Sequence, residues 1–192
     1  MKTFLTFSRG IDSLNQWIGK LSLLMILAST AISAGNALVR YTFGWGSNAL
    51  LEIQWYLFAA VFMLGAGYGF LRGVHVRIDF ISHRFSPRGR NWLDVAGILI
   101  FLLPFCILMI DLGWPLAVNA YVSQETSFNP GGLLRWPIYA FIPVGFGLLA
   151  LQAISELIKR LDFLYGNGPD VLSHDEPETS VESSASVAGE KS

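Results

Sequence analysis

The residues able to do chemistry are few, and they stand at the ends of apolar runs. The densest group is R-G-V-H-V-R-I-D, which holds Arg72, His75, Arg77 and Asp79. On a helix His75 and Asp79 share a face, as residues four apart do, and that is the beginning of a metal site. A zinc site needs three or four such ligands, so an ordinary polar surface cluster is the plainer reading. Glu52 opens the apolar run that this cluster closes, with Gln54 two residues on, and Arg40 ends the run before it. Arg40 and Glu52 are placed either to pair across the short connection or to snorkel separately to a membrane surface, and snorkelling is the simpler of the two.

Other chemistries lack their residues. There is no G-x-S-x-G, no H-E-x-x-H and no glycine-rich phosphate loop followed by lysine. Bis-histidine haem needs histidines facing each other inside helices, whereas His75, His83 and His174 lie in or beside polar segments. Cys106 is the single cysteine, which excludes an intramolecular disulfide. No cofactor, no metal and no enzymatic activity are expected.

The elements that carry these residues are written in the composition. Of the 192 residues 53% are hydrophobic and only 14% charged, against about a quarter charged in a soluble domain. Lys and Arg cluster in a few places and the acids collect near the C-terminus, so the net charge of -1 says little. No basic stripe interleaved with aromatics points to nucleic acid. The fold class expected is an all-α integral membrane protein with four transmembrane helices, in contact with membrane lipids.

In order, residues 1–16 form a leader that suits a short interfacial helix. Residues 17–165 form the membrane domain, with Trp17 and Lys20 as anchors and spans at about 21–39, 53–71, 92–118 and 136–155. A cleaved signal peptide is the competing reading of the first span. Ser86 and Pro87 read as N-cap and first helical position of the third helix, and Pro104 is placed to kink it. Asn129-Pro130-Gly131-Gly132 reads as a turn. Residues 166–192 read as a disordered acidic tail. The end holding Lys2, Arg9, Lys20, the Arg72–Arg90 loop, Lys159 and Arg160 is basic, while the other holds only Arg40 and Arg135. The positive-inside rule then puts both termini in the cytoplasm. No ionisable residue is expected near the middle of a span, which argues against ion coupling by this chain alone.

Contact is the work left for such a chain. Glu52, Ala59, Ala66 and Gly73 recur every seven residues on the second span, and Gly69 lies beside that seam. Small residues at this spacing admit another helix backbone, from a partner or from this chain itself.

The segments N-A-L-V-R-Y, N-A-L-L-E-I-Q-W-Y-L-F, L-G-A-G-Y, R-G-V-H-V-R-I-D and W-P-I-Y-A-F-I-P-V-G-F-G-L-L-A-L-Q together resemble the small, DctQ-like permease subunit of the tripartite ATP-independent periplasmic (TRAP) transporters, over roughly residues 17–161. Where many members have adjacent carboxylates, this chain has Glu52 with Gln54, a spelling similar to that of 2-oxo acid, lactate-like or aromatic carboxylate systems. The resemblance implies a scaffold subunit in the bacterial inner membrane. Its partners would be a large permease subunit with the sodium and substrate sites and a periplasmic binding protein that delivers an organic acid. It assigns no catalytic residue here. The other classes open to such a chain are a membrane-anchored electron-transfer or enzyme subunit, and an independent small channel or assembly protein.

Overall fold

The computed structural model describes residues 2–44, 46–73, 86–129 and 132–166. His75, Arg77, Asp79 and all but Gly166 of the expected tail lie outside them. The described part is helical: α1 Lys2–Phe43, α2 Asn48–Leu71, α3 Pro87–Gly97, a π-helical turn Ile98–Leu102, α4 Leu103–Val122 and α5 Trp136–Leu164. α3, the π turn and α4 run on as one span. Four helices are thus long and apolar enough to cross a membrane.

α1 has no break near residue 16. Its 42 residues make about 63 Å at 1.5 Å per residue, so the expected leader prolongs the first span instead of forming a helix of its own. The reason is visible in the buried line. Ser8, Asn15, Ser22, Ser29 and Asn36 recur every seven residues and are all buried, joined by Ile11 and Ile18. A seven-residue repeat keeps one face against its neighbours along a left-handed crossing. Small polar side chains on that face let backbones approach, which is how helices associate where no hydrophobic effect drives them together.

The third span begins as its sequence directs. Ser86 caps α3, its hydroxyl accepting the Gly89 N–H at 3.3 Å, with proline in the first turn. Pro104 then has no N–H to donate, and its ring crowds the carbonyl four residues back. The chain answers with the π turn just before it, where the Leu103 N–H reaches the carbonyl of Ile98. π turns relieve this kind of misfit inside helices.

α5 is the hub. It packs on α1, on α2 and on the third span, while the third span rests on α5 with at most marginal contact to α1 or α2. The apolar core lies where α3 meets α5: Val95, Ile98, Ala153 and Leu157, with Phe70 of α2 packed against them. Gly113 of α4 sits against Ile142 and Pro143 of α5, and Gly145 of α5 meets the backbone of Met63 in α2. The Phe105–Phe146 and Tyr121–Trp136 ring pairs close the α4–α5 seam edge to face.

Candidate functional site

The polar groups gather at the two ends of this helix cluster. At the loop end, Glu52 is 2% exposed although it stands in the second turn of α2. Its carboxylate accepts the Asn129 amide N–H at 2.8 Å and the Leu133 backbone N–H at 2.7 Å, and Ser127 bonds it as well. A carboxylate offers only acceptors, and here all the donors come from the segment between α4 and α5. The Tyr56 hydroxyl donates to the Leu134 carbonyl at 2.9 Å, a second tie from α2 to the same segment.

That segment is itself closed. Thr126 and Leu134 form an antiparallel bridge, the Ser127 N–H reaches Leu133 O, and the Gly132 N–H reaches Asn129 O, while the central residues of the expected turn, 130 and 131, lie outside the described residues. Arg135 pairs with Glu125 at 2.7 Å and lies over the rings of Phe128 and Tyr139. The hydrogen bond to Glu125 pushes the Arg135 pKa up from its ordinary value. Below it, Trp55, Ala59, Met63, Ile138 and Tyr139 line a pocket of about 350 Å³ between α2 and α5.

Arg40 takes no part in this. It is exposed, and its guanidinium lies over Gly46, where an added Cβ would come within 2.6 Å of Nε. The pairing of Arg40 with Glu52 is therefore not made, because the segment folding back from α4 occupies the carboxylate first. Gln54 is buried at 8% exposure, with its amide nitrogen unpartnered.

The seam on the second span divides. Ala59 and Ala66 are half-buried, while the close internal contacts fall one residue later, at Ala60 and Gly67. Nothing lies within 4 Å of a Cβ built on Gly69, so that flank of α2 is open. Gly73 has φ +65° and its N–H returns to Phe70 O. It is the left-handed residue that stops the helix, which is reason enough for a glycine there. Arg72 is exposed and folds back on Tyr68, its Nε 3.2 Å from the hydroxyl.

At the other end stands a polar chain that crosses three helices. The Ser8 and Ser155 hydroxyls are 2.7 Å apart. Asn15 donates to Gln152 at 2.8 Å, Gln152 donates to Asp12 at 2.9 Å, and the Ser155 hydroxyl donates to Asp12 at 2.9 Å. Lys159 bridges Asp12 and Glu156, Arg160 takes Glu156 at 2.7 Å, and its far side reaches Asp94 at 3.1 Å. Charges alternate along Asp12, Lys159, Glu156, Arg160 and Asp94, tying α1 to α5 and α5 to α3. Sequence reasoning missed this chain, having placed Lys159 and Arg160 only as basic charges at that end. The period-seven serines and asparagines of α1 were the available signal.

One charge departs from the expected pattern. Asp111 is exposed on α4, which runs on to Val122 instead of ending near residue 118. Asp111, which the expected span already included, therefore lies further from the end of the third span than the sequence suggested. Among the described residues, no group of three or more His, Cys, Asp or Glu is placed to hold a metal ion.

The arrangement is one of helices fastened at both ends, in which most buried polar groups are spent on internal ties. A family model, the DctQ component of the tripartite ATP-independent periplasmic transporters, matches residues 14–163. The chain belongs to this family. The match takes in all four helices of this DctQ component, both of its polar ends and Asp111, and it leaves out Ser8 and Asp12. No curated protein and no solved structure matches the chain. As a DctQ component the chain is a small subunit of a TRAP transporter.

Proposed function

We propose that this chain is the non-catalytic scaffold of a sodium-coupled TRAP importer for an organic acid. A large permease subunit carries the sodium and substrate sites, and a periplasmic binding protein delivers the substrate. The single observation behind this reading is the family match over residues 14–163. The polar chemistry agrees with it: Glu52, Gln152, Glu156 and Arg160 are buried in ties to other groups of this chain. Side chains held that way are poor candidates for an ion path.

The subunit lies in the bacterial inner membrane with both termini cytoplasmic. The Ser8–Ser155 contact brings the start of α1 and the end of α5 to one end, and the same end carries most of the Lys and Arg. The open flank of α2 at Ala66 and Gly69 is a surface for the large subunit, with Ala59 above it and Arg72 below. Arg40, on the other side of the membrane, stands free to meet the binding protein.

The test is reconstitution. The chain alone in liposomes moves no organic acid under a sodium gradient, and uptake begins when the large permease and binding protein are added. Uptake by the chain alone, above empty liposomes, overturns the scaffold role.

A further inference from the structure

The outer face of α4 carries an unanswered charge. The inner face of that helix is the line Cys106, Gly113 and Ala120, all buried, and Gly113 rests on Ile142 and Pro143 of α5. Asp111 comes two residues before Gly113, about 200° around the helix, and so points away from α5. It is exposed. Ile107, Leu108, Trp114 and Val118 share its face, each 43–64% exposed. Among the described residues no donor reaches its carboxylate, by hydrogen bond or by ion pair.

Its depth makes this notable. Tyr121 and Trp136 pack edge to face at the loop end, where aromatic residues mark a membrane interface. Asp111 is ten residues inward of Tyr121, about 15 Å along a helix. Half of a hydrocarbon core is also about 15 Å. Lys and Arg escape such a position by snorkelling along their stems, but an Asp side chain has a single methylene and cannot. Carboxylates at this depth face a partner or a water-filled path, and the side chains one turn away on this face, Ile107, Leu108 and Trp114, are large and apolar in the main.

We propose that this face of α4 docks against a membrane-embedded partner that brings an Arg or Lys side chain to Asp111 at mid-bilayer depth. The partner is the large permease subunit, so the inference rests on the function proposed above. It adds a second surface to the open flank of α2. Ile107, Leu108 and Trp114 around Asp111 exclude lipid and water from the pair, and charge complementarity fixes the register of the two proteins.

The experiment uses the complex co-expressed with the large permease, with p-benzoylphenylalanine in place of Leu108. Illumination yields an adduct with the large permease. Asp111→Lys abolishes the adduct, Asp111→Asn lowers co-purification about tenfold, and Asp111→Glu retains both. If the permease co-purifies but Leu108 links only to lipid, this face is not the interface and the inference falls while the scaffold reading stands. If Asp111→Lys leaves the adduct at full yield, no basic side chain faces Asp111 and the inference falls as well. If no permease co-purifies with the wild-type chain, the scaffold reading itself falls and takes the docking face with it.

Discussion

The carboxylate of Glu52 holds the backbone N–H of Leu133 at 2.7 Å, across 81 positions of sequence. One side chain at the start of α2 thus fixes the connection between α4 and α5. Replacing it with alanine leaves Asn129 and the Leu133 N–H without their acceptor. The expected result for Glu52→Ala is fast hydrogen exchange at Leu133 and cleavage by protease within residues 123–135. Glu52→Gln, which keeps one acceptor oxygen, falls between alanine and wild type. Unchanged protection of Leu133 in Glu52→Ala would show that Tyr56 and the Arg135–Glu125 pair suffice to hold the segment.

The buried pair Arg160–Glu156, with side chains 5% and 7% exposed, gives a second prediction. Arg160→Ala leaves the buried Glu156 carboxylate with Lys159 alone and lowers stability by about 1–3 kcal/mol, read as a lower thermal midpoint in detergent. The double variant Glu156→Leu with Arg160→Met recovers most of the loss, because no charge is then left buried alone. Lys159 keeps Asp12 in that variant, and Asp94 is 37% exposed and has water. A double variant no better than Arg160→Ala would refute this account of the pair.

Two glycines separate internal packing from partner packing. A Cβ on Gly145 would stand 2.5 Å from the Met63 carbonyl oxygen, and backbone cannot yield cheaply. Gly145→Ala is expected to cost about 1–3 kcal/mol in the chain by itself. A Cβ on Gly69 meets nothing within 4 Å, so Gly69→Leu is expected not to lower the isolated chain's thermal midpoint. Gly69→Leu and Ala66→Leu weaken co-purification with the large permease, whereas Val61→Leu does not. Wild-type recovery of both seam variants would mean that the partner lies elsewhere.

Topology is checked by single cysteines labelled from outside intact cells. Cys106 is fully buried and gives a low background. Cysteines at residues 44–48 and 123–129 are expected to react, and those at residues 86–90 are expected to stay dark. Reaction at residues 86–90 would invert the orientation.

What could be read in advance followed from local pattern. Apolar runs gave all four helices, and Ser86 with Pro87 gave the start of α3, since capping depends only on neighbours in sequence. Glu52 stood out in the sequence, but the segment its carboxylate holds did not. Arg40 is twelve positions away and Leu133 is 81, and nothing local says which segment folds over α2. The Asp12–Lys159 and Arg160–Asp94 ties were hidden for the same reason. Pro104 was recognised as a disturbance, yet the form it took, a π turn at Ile98–Leu102 instead of a kink, is not written in the proline alone. The α1 seam repeats with period seven in the sequence, but only the folded neighbours show that its serines and asparagines are a contact face.

That seam also sets a schedule. Asn15 and Gln152 bond to each other from positions 137 residues apart, and a ribosome adds about 5–20 residues per second. Roughly 7–30 s therefore pass between the synthesis of the asparagine and that of its partner. For that time α1 stands in the translocation machinery or in lipid with no α5 to face. Two of its polar side chains have a provisional home on their own helix: Ser22 donates to the Ile18 carbonyl and Asn15 to that of Ile11. Those local bonds lower the polarity that α1 shows while it waits, and the last helix to be made completes the first.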